Sequence, residues 1–66
     1  MVTAPRLKQI REKRFLTQEE LARKAEVAEI TVLRLEAGKQ ARFSSIRKLA
    51  EALGVEPETL VEAEPK

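Results

Sequence analysis

Leu16-Thr-Gln-Glu-Glu-Leu-Ala22 and, a few residues later, Ala28-Glu-Ile-Thr-Val-Leu-Arg-Leu-Glu36 are the stretches whose reading decides the fold. Thr17 followed three residues on by Glu20 has the form of a capping box, with the hydroxyl placed for the backbone N–H of residue 20 and the carboxylate for that of residue 17. Leu16 and Leu21 flank the box as a hydrophobic staple, so a helix is expected from Thr17 to about Glu26 that buries Leu21, Ala22 and Ala25. In the second stretch Ala28, Thr31, Val32 and Leu35 recur at helical spacing, which predicts an inward stripe on a helix from about Ala28 to Glu36, stopped by Gly38. Two short helices about three residues apart, with small side chains at their contact, make a helix-turn-helix unit.

Outward from this pair the same rules place three more helices. Pro5 suits a helix start, and Leu7 and Ile10 share one side of a first helix ending near Arg14. After a basic loop, Lys39-Gln-Ala-Arg42, a fourth helix is expected from Ser44 or Ser45, with Ile46, Leu49, Ala50 and Leu53 as its apolar stripe and Gly54 closing it. Pro57 then opens a short fifth helix carrying Leu60 and Val61, with the chain fraying after Glu62. The expected fold is all-α, a five-helix bundle in one domain over residues 1–66, with an ordered core of about 5–62 and a frayed tail at 63–66.

Sixty-six residues leave room for one small core, built here from 9 Ala, 8 Leu, 5 Val and 3 Ile with 2 Phe and 1 Met. The chain contains no His, Asp, Asn, Cys, Tyr or Trp. A Ser-His-Asp or Cys-His constellation therefore cannot be assembled, and a metal site would have to be made from Glu alone, so no enzyme, no cofactor and no metal are expected. No apolar run approaches a membrane span and no signal-peptide order is present, which points to a cytoplasmic protein. Charged residues drawn from Glu, Lys and Arg, without Asn or Cys, fit a heat-adapted source. Residues 1–48 hold 12 Lys/Arg against 6 Glu, whereas residues 49–66 hold 1 Lys against 5 Glu. The basic part is suited to a polyanion and the acidic end to solvent or a partner.

Leu-Thr-Gln-Glu-Glu-Leu-Ala (16–22), Val27, Thr31-Val32, Arg34-Leu-Glu-Ala-Gly-Lys39 and Lys48-Leu-Ala-Glu-Ala-Leu-Gly-Val55 together resemble the phage-repressor, or xenobiotic-response-element, family of Cro/CI-like helix-turn-helix regulators, from about Leu7 to Leu60. The resemblance implies a lambda-repressor-like bundle that binds operator DNA as a homodimer and acts as a transcriptional repressor. It makes the third helix the recognition helix, with Glu29, Ile30, Leu33 and Arg34 facing bases. It puts Thr17 and Gln18, and the loop residues Lys39, Gln40 and Arg42, on phosphates, and makes Arg11 and Glu36 an ion pair between the first and third helices. Leu60 and Val61 are the expected dimer contact, because they exceed what a short last helix needs to seal its own core.

The chain departs from the family pattern in four places and in the character of its third helix's outer face. Glu26 stands where Gly is usual, which in a left-handed backbone costs on the order of 1 kcal/mol. Ala28 replaces the usual Ser or Thr cap, a loss of about 1 kcal/mol. Phe15 also stands where Gly is common, and the loop after Lys39 is a residue short and lacks a proline. On the third helix Ile30 and Leu33 replace polar base-reading side chains. Side by side on the outer face, they fit contact with thymine methyls, or else a protein interface in an interaction or antitoxin-like module. Arg34, the long cation of that face, is expected to read a guanine.

Overall fold

The structure, a computed structural model, describes residues 1–61; the frayed tail expected at 63–66 lies outside the described residues. Five helices follow in order: α1 (Leu7–Lys13), α2 (Gln18–Ala25), α3 (Glu29–Glu36), α4 (Phe43–Leu53) and α5 (Pro57–Val61). The capping box forms at the start of α2, where the Glu20 N–H donates to Thr17 Oγ1 at 3.0 Å and the Thr17 N–H to Glu20 Oε1 at 2.8 Å.

The helix ends share one solution. At each of the first four, the residue after the helix, or one further on, takes a positive φ and the chain reverses there: Phe15 (57°), Glu26 (59°), Gly38 (88°) and Gly54 (71°). Backbone N–H groups of the next residues reach back to orphan carbonyls: Leu16 to Arg11, Val27 to Ala22, Lys39 to Arg34 and Val55 to Ala50, at 2.9–3.3 Å. Glycine takes this conformation without strain; Phe15 and Glu26 do not.

The core is aliphatic. Leu7, Leu21, Val32, Leu35, Leu49 and Leu60 are fully buried, and each such leucine contributes about 2 kcal/mol by leaving water. The helix pair α2 and α3 packs together, α4 lies across α2, and α5 closes the far side against α4 and α1. The Arg6 N–H donates to the Leu60 carbonyl at 3.3 Å, and Arg14 Nε donates to the Leu53 carbonyl at the end of α4 at 3.2 Å.

Three expectations need correction. Ala28 is exposed: it is the extended residue preceding α3 (φ −68°, ψ 142°), outside the inward stripe, which Val32 and Leu35 carry with Thr31 half-buried. The fourth helix starts at Phe43, with Arg42 before it in extended conformation and no side-chain cap, so both serines lie inside its first turn and neither is its cap. Order begins before residue 5: Val2 and Ala41 form a two-hydrogen-bond antiparallel bridge, and Ala4 is buried at 1% exposure.

Candidate nucleic-acid interface

Arg11, on α1, reaches Glu36 at the end of α3. Its Nε lies 2.6 Å from Oε2 and its Nη2 3.1 Å from Oε1, while Nη1 donates to the Leu16 carbonyl at 2.7 Å. Both side chains are nearly buried, at 11% and 5% exposure, so this fork-shaped pairing is shielded from solvent. The Glu36 hydrogen bond holds the Arg11 guanidinium above its usual pKa, against the opposing effect of burial. Gln18, half-buried at the first turn of α2, adds its own amide, donating from Nε2 to Glu36 Oε1 at 2.9 Å. Glu36 therefore fastens α1, α2 and the turn between them to α3. The Gln18 contact was not read from sequence, since a glutamine at a helix start carries no signal of a partner 18 residues away.

With α3 fixed at this edge, its outer face is set by helix geometry. At 100° per residue Ile30 lies about 170° from the mean direction of Val32 and Leu35, with Leu33 and Arg34 about 130° away on either side. Ile30 is 56% and Leu33 40% exposed, and Glu29 and Arg34 are also at the surface. Leu33 lies on the side of Glu36; Arg34 lies on the side of Thr31, toward the loop into α4.

Thr17 is exposed, with its hydroxyl and N–H engaged in the capping box. The Thr17 backbone N–H, with the Thr17 side chain beside it, holds the Glu20 carboxyl below the usual carboxylate range. Lys39, Gln40 and Arg42 are all exposed, and Gln40 and Arg42 share a cleft of about 300 Å³ with Arg34, Thr31 and Ser45.

The expected dimer pair divides. Leu60 has 0% exposure within the chain's own core, where it packs because α5 is needed to close the bundle, so it is not on the surface. Val61 is half-buried and lines an almost wholly apolar groove of about 290 Å³ with Val2, Phe43, Ile46, Arg47, Pro57 and Glu58. Phe43, 63% exposed, was missed because it falls outside the periodic stripe of α4. Among the described residues no group of three or more acidic side chains is placed to hold a metal ion, and no helix is long and apolar enough to cross a membrane.

The pattern of the helix-turn-helix family matches residues 7–60, and the chain belongs to that family in its Cro/CI-like, lambda-repressor-like form. Among solved structures it is similar to the N-terminal DNA-binding domain of the master biofilm-regulator SinR from Bacillus subtilis. The likeness has a TM-score of 0.82 and 26% sequence identity, and covers 96% of this chain and 94% of that one. Comparison with curated protein sequences finds no match.

Proposed function

We propose that this chain is a cytoplasmic, sequence-specific regulator of transcription that binds double-stranded DNA through α3 and represses by occupying its operator. One observation carries the reading: α3 presents an outer face with no buried side chain, held rigidly at one edge by the Arg11–Glu36–Gln18 cluster. A rigid helix of this width fits the major groove, with Ile30 and Leu33 against thymine methyls and Glu29 accepting from a cytosine amino group. Arg34, at the loop-side edge, has both a guanine and the adjoining backbone within the span of its side chain. Thr17 and Gln18 at the start of α2, with Lys39, Gln40 and Arg42, contact phosphates on either side. The family and the likeness to the SinR DNA-binding domain support the same class of partner.

Operators with two-fold symmetry call for a homodimer, and the apolar groove at Val61, Phe43 and Pro57 is the surface we assign to it. Arg47 and Glu58, which also line it, offer opposite charges to a second copy.

Selection of bound sequences from a random duplex pool, followed by a salt titration, tests the reading. A recovered half-site with thymine-rich steps, and log K falling with log salt at about −0.9 per phosphate contact, are expected. Binding to no duplex at any salt overturns it. The exposure of Ile30 and Leu33 favours a second reading, an interaction or antitoxin-like module that covers the same face with another protein.

A further inference from the structure

The loop that joins α3 to α4 is tied down at its far end by the N-terminal segment. It runs from Gly38 to Arg42 without a proline, and its next-to-last residue, Ala41, is buried at 7% exposure while its neighbours are exposed. Both backbone groups of Ala41 are taken by the N-terminal segment: the Val2 N–H donates to its carbonyl at 3.0 Å and its N–H to the Val2 carbonyl at 2.8 Å. Ala4, at 1% exposure, seats that segment in the core. In extended backbone alternate side chains share a side, so fixing Ala41 inward turns Gln40 and Arg42 outward together. Arg42 is itself extended (φ −70°, ψ 152°), and the cleft it lines with Arg34 is also lined by Met1, Thr31, Gln40 and Ser45. Among the described residues, no carboxylate lines this cleft. Two arginines lining one opening with no acid beside them, together with Thr31, Ser45 and Gln40, which can also donate, have the chemistry of an oxyanion seat.

We propose that Met1–Ala4 belongs to the DNA-binding machinery: by clasping Ala41 it holds Arg42 opposite Arg34, and the two arginines grip one and the same backbone phosphate. The proposal rests on the DNA reading above and sharpens it. Arg34 is assigned to the backbone instead of a guanine, and base discrimination falls to Glu29, Ile30 and Leu33. Val2 acts as a positioning residue through its peptide groups, with its side chain immaterial to this role.

The test is binding of the full chain to random-sequence duplex over a range of salt, with wild type, Arg34→Ala, Arg42→Ala, the double variant, Val2→Pro and Val2→Ala. A shared phosphate predicts that the double variant lowers the salt slope by about 0.9, where two separate contacts give about 1.8. Val2→Pro, which lacks the N–H, lowers the slope by a similar amount and has no further effect in the double variant, whereas Val2→Ala, which keeps both peptide groups, keeps the wild-type slope whatever its loss of groove contact does to affinity. Helicity and the urea midpoint report whether Val2→Pro is folded; if it is not, the two arginine variants decide alone. A slope loss near 1.8, no slope loss, or a change of base preference in Arg34→Ala overturns the shared grip. A folded Val2→Pro that matches wild type overturns the clasp. Amide shifts on titration with inorganic phosphate at fixed ionic strength separate the sources. Saturation at the cleft without any slope change in the double variant assigns it to a free anion and overturns the duplex contact. A wild-type chain that binds no duplex fails the DNA reading itself, before any variant is compared.

Discussion

Phe15 and Glu26 hold equivalent places at the ends of α1 and α2, with φ of 57° and 59°, and among the described residues they are the two non-glycine residues at positive φ. Each is the residue at which its helix reverses. The left-handed backbone costs an L-residue about 1–2 kcal/mol, of which glycine's greater freedom when unfolded returns about 0.5–1. Phe15→Gly and Glu26→Gly are therefore each expected to stabilise the fold by about 0.5–1 kcal/mol. Urea midpoints measure this, and no increase in either would mean that local contacts offset the strain.

Ala28 precedes α3 in the extended conformation of a capping residue, yet offers no side-chain acceptor to the first turn. Ala28→Ser supplies one. A gain of about 0.5–1 kcal/mol in thermal or urea unfolding is expected, without change in the salt dependence of DNA binding.

Removal of Glu36 alone leaves a buried guanidinium and the Gln18 amide without their acceptor. Glu36→Ala is expected to cost about 3 kcal/mol or more, since an uncompensated buried charge is worse than no pair at all. In the double variant Arg11→Met/Glu36→Ala the loss should fall short of the sum of the singles by about 1–3 kcal/mol. Additive losses would show that the two side chains act independently.

The lowered pKa of Glu20 fixes a sign for the pH dependence. A carboxyl whose folded pKa lies below its unfolded value adds stability above the unfolded pKa, and that stability is lost as pH falls through the folded pKa. Glu20→Gln should thus be less stable than wild type at neutral pH, with the gap closing on the acid side of the usual carboxylate range. A gap of constant size down to acid pH would remove the charge from the capping box.

Leu60 and Val61 are adjacent but should behave oppositely. Leu60→Glu puts a carboxylate into the core and is expected to unfold the chain. Val61→Glu, at the rim of the apolar groove, should leave the urea midpoint within about 0.5 kcal/mol of wild type and give a monomer in sedimentation. A folded Val61→Glu that still sediments as a dimer would move the interface elsewhere.

Much of this fold could be read from the chain because its signals are local or periodic. Thr17 and Glu20 are three residues apart, and Val32 and Leu35, or Ile46 and Leu49, repeat at the helical period, so helix type and inward faces follow directly. Ala28 was misplaced because periodicity cannot distinguish the last extended residue from the first helical one when the side chain is a bare methyl. The Val2–Ala41 bridge has no period, being one residue on each side and joining segments 39 positions apart in sequence. Ala4 and Ala41 gave no warning either, since alanine is equally at home inside and outside. At the candidate site the ion pair of Arg11 and Glu36 came from the family pattern, while Gln18 joining it, and Arg34 sharing a cleft with Arg42, depend on how three elements meet in space.

The outward face of α3 has a consequence for how such a chain can change. Val32 and Leu35 anchor the helix from below and Glu36 from its end, so Glu29, Ile30 and Leu33 hold nothing in place. Replacing them carries little penalty in folding, and a library varied at these three positions on an otherwise untouched chain should yield mostly folded members. The scaffold and the proposed reading surface are separable, so under the DNA-binding reading new operator preferences can be explored without first rebuilding the bundle.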